Sequence, residues 1–173
     1  MKPSTALILV DLEQEWLTQG SDYYAKDLTK TIPKINQLID DCRAKGYKIV
    51  FIRHVEEGSK DIFAEGMKRS EIIKELHRKP SDTVMTKYKI SSFYKTILEK
   101  ELKGIKKIII SGILTNLCVR SLAQDAYDRE FEITIISDCC VAFDQKTHEF
   151  TLQDLKKTRE EIEIMKIREF LEK

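Results

Sequence analysis

Apolar residues along the chain fall into short unbroken runs, and between the runs they recur at helical spacing. Ala6–Val10 is a continuous apolar run, as expected of a parallel strand covered on both faces. Ile32, Ile35, Leu38, Ile39 and Cys42 then follow a helical period, and Gly46 supplies the stop. Lys48–Ile52 predicts a second strand, Ile72, Ile73 and Leu76 a short helix, and Thr83–Thr86 a brief third strand. Ser91 or Ser92 is placed to cap a helix carrying Phe93, Ile97, Leu98 and Leu102, ended by Gly104. Ile108–Ile110 predicts the fourth strand. Thr115 or Asn116 then opens a helix with Val119, Leu122, Ala123, Ala126 and Tyr127 on one side. Phe131–Ile136 predicts a fifth strand, Thr147–Lys157 a helix, Ile162–Met165 a sixth strand and Ile167–Leu171 a last short helix. Six strands alternating with helices predict a three-layer α/β/α fold, Rossmann-like, around a mainly parallel sheet. Glu56–Lys68 is expected to be a loop over one end of it.

The length of 173 residues suits one domain, residues 1–173, with no repeat or linker. Thirty basic against 29 acidic side chains give a net charge of +1, which makes no case for a nucleic-acid partner. No apolar run approaches the ~20 residues of a membrane span, so no membrane partner is expected. Met1–Thr5 is too short and polar for a signal peptide, and a cytoplasmic location is the expectation. The four cysteines, at 42, 118, 139 and 140, match neither a metal knuckle nor a disulfide framework. No glycine-rich nucleotide motif is present, and no cofactor is expected.

In sheets of this type, ligands bind outside the carboxyl ends of the strands. The residues predicted there are Asp11, Arg53, His54, Lys87, Gly112–Cys118 and Asp138. Cys118 follows strand four by a short turn at the start of a helix, where a helix terminus favours a thiolate and free amides can hold an oxyanion. Position alone equally suits a packed helical cysteine. Asp11 at the end of an apolar strand suits a general base, or equally a cap or an ion pair. Lys87 suits a cation that favours both anions, although a lysine-rich surface is the plainer reading.

Taken together, these segments resemble the isochorismatase-like cysteine hydrolases, which include nicotinamidases and carbamoyl-amide hydrolases. The resemblance covers nearly the whole chain. It begins at Leu9-Val-Asp-Leu-Glu-Gln-Glu-Trp16, continues through Lys87-Tyr-Lys-Ile-Ser-Ser-Phe93, and is most specific at Gly112-Ile-Leu-Thr-Asn-Leu-Cys-Val119, followed by Ala123, Asp125-Ala126 and Ser137-Asp138. It implies a catalytic set of Asp11, Lys87 and Cys118, and a cis peptide between Ile113 and Leu114. It further implies an oxyanion hole from the amides of Leu114 and Cys118, a pocket walled by Trp16, and strand order 3-2-1-4-5-6. In that order strand two separates Asp11 from Lys87, a gap of ~10 Å that the lysine has to cross. Relatives commonly form dimers or tetramers, so a homo-oligomer is expected.

The sequence also departs from the family. Ile52 stands where nicotinamidases carry the aspartate of a metal site before His54, and the surroundings of His77 do not match, so no metal is expected. Glu13 replaces a usual glutamine, Leu114 a usual smaller residue, and Glu130 a common turn glycine. True isochorismatases lack the cysteine, so Cys118 points to acyl transfer on a small-molecule substrate. The reading is a cysteine hydrolase that cleaves the C–N bond of a small amide or carbamoyl compound through a thioester. The alternatives are nicotinamidase proper, a non-catalytic interaction module on the same fold, and a redox role for Cys118 with the Cys139-Cys140 pair.

Overall fold

The computed structural model describes residues 3–173. Six parallel strands form one sheet: β1 (Thr5–Val10), β2 (Lys48–His54), β3 (Thr83–Lys87), β4 (Lys107–Ile113), β5 (Glu132–Val141) and β6 (Glu163–Met165), in spatial order β3-β2-β1-β4-β5-β6. The helices are α1 (Leu28–Ala44), α2 (Leu98–Glu101), α3 (Arg120–Tyr127), α4 (Gln145–Thr158) and α5 (Ile167–Leu171).

The sheet is covered on both faces, which is why its central strands read as unbroken apolar runs. Leu7, Leu9, Phe51 and Ile109 pack against Ile35, Leu38 and Ile39 of α1 and Phe170 of α5. Ile8, Val10, Ile52 and Ile110 pack on the other side against Leu122, Ala123 and Ala126 of α3 and Leu155 of α4. Every residue of β1 is buried, so the strand positions whatever follows it with little freedom.

Three segments differ from the sequence expectation. Ile72, Ile73 and Leu76 form no helix. Instead Ile72 bridges Glu13 in antiparallel fashion, with Gln14 N donating to Glu71 O at 2.9 Å and Ile73 N to Leu12 O at 2.9 Å. Ile73 and Leu76 are buried; three apolar residues suffice for an extended segment to anchor without helical periodicity. The helix expected after Ser91 shrinks to Leu98–Glu101. Lys95 has φ 52°, outside helical geometry, and the hydroxyls of Ser91 and Thr96 take the amides of Phe93, Tyr94 and Leu98. Finally, β5 runs five residues beyond Ile136, with a register shift against β4 between Ile110 and Gly112. That shift brings Cys139 and Cys140 into the strand.

Candidate active site

At the carboxyl end of the sheet the chain leaves β1 at Asp11, which has φ 52°. Left-handed backbone is unusual for a residue other than glycine and is concentrated at functional positions. The Asp11 amide still donates to Ile52 O at 2.9 Å, so the residue is held by β2 while its backbone turns. Asp11 is 1% exposed and Lys87, the last residue of β3, is 0% exposed. The Lys87 Nζ stands 2.9 Å from Asp11 Oδ2, 3.3 Å from Cys118 Sγ and 3.1 Å from the Lys89 carbonyl. One ammonium thus joins residues from three segments far apart in the chain.

Cys118 sits in a single π-helical turn, Thr115–Val119, that leads into α3. The Ile113–Leu114 peptide bond before it is cis. The Leu114 carbonyl accepts from Leu117 N at 3.0 Å and Val119 N at 3.2 Å, closing the turn around the cysteine. Two further contacts fix this segment. Thr115 Oγ1 and His148 Nδ1 of α4 are 2.8 Å apart. Gly112 has φ 136°, and a Cβ there would lie 2.2 Å from Val10 O. The glycine is what lets β4 approach β1 closely enough to set Cys118 beside Asp11.

Charge in this cluster follows from burial. Burial works against the Lys87 charge, but the Asp11 carboxylate and Cys118 outweigh it and hold the ammonium above its ordinary pKa. Burial, reinforced by the Asp11 charge, pushes the Cys118 thiol up to about 12 against the pull of Lys87. Burial and Asp11 thus outweigh the helix start and Lys87, which favour the thiolate. The helix start and Lys87 were visible in the sequence, whereas the desolvation and the opposing carboxylate arise only from packing.

A cavity of about 330 Å³ opens onto Cys118 and Asp11. Trp16 lines it, as do Tyr23 and Phe63, with ring centroids 5.1 to 5.7 Å apart among the three. Leu114 and Leu117 line it from the nucleophile turn and Tyr88 and Ile90 from the segment after β3. Tyr23, Phe63 and the Thr115–His148 contact gave no signal in the sequence, because loops far apart in the chain assemble them. Arg53 and Asp138 stand apart from the cluster. Arg53 lines a separate groove and donates to Thr86 Oγ1 at 3.3 Å. Asp138 pairs with Lys34 at 2.9 Å and accepts from Ile167 N at 2.8 Å, anchoring α5.

The Isochorismatase domain model matches residues 5–164. The chain belongs to the isochorismatase family. This family member is 27% identical over 165 residues to Nicotinamidase 3 of Arabidopsis thaliana, covering 87% of this chain and 79% of that one. It is 28% identical over 170 residues to the ureidoacrylate amidohydrolase RutB of Methylorubrum extorquens, covering 78% and 68%. The solved pyrazinamidase of Pyrococcus horikoshii in complex with zinc superposes with a TM-score of 0.84 at 25% identity, covering 95% and 99%. The shared fold and the amidohydrolase relatives make the chain an isochorismatase-like hydrolase, with amide C–N cleavage supported by its relatives.

The zinc of that relative prompts the question of whether the residues here would hold a metal, and they do not fit one. His54 lines the cavity with Glu56 as its acidic neighbour at 3.5 Å, and apolar Ile52 occupies the position of the missing carboxylate. His77 pairs with Asp40 at 2.8 Å and does not line the cavity. Among the described residues, no three His, Cys, Asp or Glu side chains are grouped to share an ion.

Proposed function

We propose that the protein is a metal-independent cysteine hydrolase that cleaves the C–N bond of a small amide or carbamoyl compound through a thioester. The observation that carries this reading is the single buried ammonium shared by Asp11 and Cys118, which line the cavity in front of it. Asp11 is the proton acceptor, and Lys87 holds it in place and favours the sulfur anion as it forms.

In the first half-reaction, Asp11 takes the Cys118 proton as sulfur bonds to the substrate carbonyl carbon. The carbonyl electron pair moves onto oxygen, which the amides of Leu114 and Cys118 receive. The pair then returns, the C–N bond breaks, and Asp11 gives its proton to the departing nitrogen. In the second half, Asp11 takes a proton from water as the water oxygen attacks the thioester. The C–S bond breaks and the proton returns to sulfur. A thiol that rests protonated suits this scheme, because Asp11 removes the proton only when an acyl group is there to accept the sulfur.

The wall of Trp16, Tyr23 and Phe63 favours flat or apolar acyl groups of modest size over peptides. An ammonia-release assay across small aromatic amides, aliphatic amides and carbamoyl compounds tests the reading, with Cys118→Ala as control. A substrate cleaved by the wild type and not by Cys118→Ala, with mass-spectrometric capture of the acyl group on Cys118, is the expected result. Turnover that survives Cys118→Ala would reject it.

A further inference from the structure

Two residues beyond Asp11, Glu13 is 0% exposed, and neither of its carboxylate oxygens has a hydrogen-bond partner among the described residues. It is a second buried carboxyl group beside the Asp11–Lys87–Cys118 cluster, and the mechanism above leaves it idle. A buried carboxylate without partners is costly, and the cost falls either on a counter-charge or on a proton.

No counter-charge near Glu13 is bonded to it. An ammonium has three N–H donors, and those of Lys87 are directed at Asp11 Oδ2, Cys118 Sγ and Lys89 O. Arg53 of β2 donates to Thr86 Oγ1 at 3.3 Å and its buried Nε has no partner, so its guanidinium is not bonded to Glu13. On the covering segment, Arg69 is engaged with Glu15 at 2.6 Å. From its own segment Glu13 meets the Asp11 charge, whose Oδ1 also lacks a partner. His54 of β2 adds no cation, because burial and Lys87 hold its imidazole below the ordinary pKa. Two carboxyl groups therefore sit beside one fully committed ammonium, and Glu13 has no bonded cation of its own.

We propose that Glu13 stands in the protein as an uncharged carboxylic acid, a positioning residue that leaves the Lys87 ammonium wholly committed to Asp11 and Cys118, and that its ionisation in alkaline solution closes the site. The inference deepens the amidase reading and rests on it for the word "site". The electrostatics agree with the geometry. Burial, then the Asp11 charge, push the Glu13 carboxyl up to about 10, against the smaller pulls of Lys87, Arg53 and the His54 backbone N–H. On losing its proton to solvent, Glu13 competes for a Lys87 N–H, and the donor withdrawn is the one that favours the sulfur anion.

Two measurements on the full chain decide it, with Glu13→Gln as a near-isosteric neutral substitute. The first is denaturant unfolding from pH 5 to pH 9, which needs no substrate. A carboxyl whose folded pKa lies above its unfolded value of ~4.3 binds more protons in the native state, so its contribution to stability falls as pH rises between the two. Glu13→Gln is free of that loss. It is expected to be the more stable form, with a gap that widens with pH. A variant equally or less stable than the wild type at pH 8 would overturn the proposal, and is what an ionised Glu13 paired with Arg53 would give. The second is the pH profile of amide turnover, each protein normalised to its own rate at pH 7. The alkaline fall of the wild type is expected to move upward by at least about one pH unit in Glu13→Gln, and an unmoved fall would overturn the proposal. If no amide is cleaved, the amidase reading fails while the unfolding measurement still decides the state of Glu13.

Discussion

The Lys87 ammonium lies 2.9 Å from the Asp11 carboxylate although β2 stands between their two strands. Two inter-strand steps amount to about 10 Å. The lysine closes the gap by lying fully buried across the carboxyl end of β2, where its backbone is in register with His54. Asp11 has by then left the extended conformation, at φ 52°.

A pair this deeply buried is expected to be intolerant of losing one partner. Lys87→Met leaves Asp11 as an uncompensated buried charge, which typically costs about 3–5 kcal/mol. The double variant Asp11→Asn/Lys87→Met removes both charges and should recover much of that loss. Urea unfolding of the two single variants and the double variant gives the coupling directly. Additive losses would mean that the pair is not a stabilising unit.

The roles of Asp11 and Cys118 separate by titration. The Asp11 charge is one of the influences holding the Cys118 thiol at about 12, after burial itself. Asp11→Asn should therefore lower the thiol pKa while reducing turnover by ~10²–10⁴-fold, since the amide cannot accept the proton. A thiolate that forms more easily in a slower enzyme is a signature that structural damage would not produce. Alkylation rate against pH, set beside single-turnover kinetics, reads both. Asp11→Asn/Cys118→Ala should be no slower than Cys118→Ala alone, because the residues act as one unit.

Much of the architecture was legible because a sheet covered on both faces leaves a coarse imprint. Ala6–Val10 and Ile108–Ile110 could hardly be anything but central strands, and both lie inside observed ones. The order β3-β2-β1-β4-β5-β6 came from the family resemblance, and the structure has it. What escaped was decided by single local events, such as the left-handed Lys95 that cuts a helix short and the shift that lengthens β5. At the site, the identities of Asp11, Lys87 and Cys118 were readable from motifs. Of the aromatic wall only Trp16 was implied; Tyr23, Phe63 and the high thiol pKa were not, since they depend on which loops meet over the sheet. Glu13 was visible only as a departure from glutamine; its burial gives that departure a meaning.

Gly112 is expected to accept no side chain. A Cβ there would sit 2.2 Å from Val10 O and 2.7 Å from Val10 N, both backbone atoms of the fully buried β1. Its φ of 136° is also outside the range of other residues. Gly112→Ala must therefore push β4 away from β1 and displace the turn that carries Cys118. A loss of about 3 kcal/mol or more is expected, at the upper end for overpacking because neither neighbour is a flexible side chain. Thermal unfolding with circular dichroism measures it, and a variant with an unchanged melting temperature would contradict the close approach of the strands.

The contact between His148 Nδ1 and Thr115 Oγ1, 2.8 Å apart, ties α4 to the nucleophile turn, beside the Arg120–Asp154 ion pair just after it. Burial holds the His148 imidazole below its ordinary pKa, against a smaller opposing pull from Glu149. The unfolded chain then binds more protons than the native one between the folded value and about 6.5. His148 thus contributes stability that is present above the unfolded pKa and lost as pH falls through that window. His54, depressed by burial and by Lys87, adds a loss of the same sign. His148→Gln keeps a donor and an acceptor for Thr115 but cannot charge. The fall in its stability between pH 7 and pH 5 should be shallower than in the wild type, while His54→Gln should relieve a separate part. His148→Ala removes this contact. It should lower kcat with little change in KM, by up to ~10²-fold if the turn shifts by about 1 Å. Urea unfolding at each pH and steady-state kinetics test the two halves, and a His148→Ala enzyme with unaltered kcat would show that the turn holds its shape without this contact.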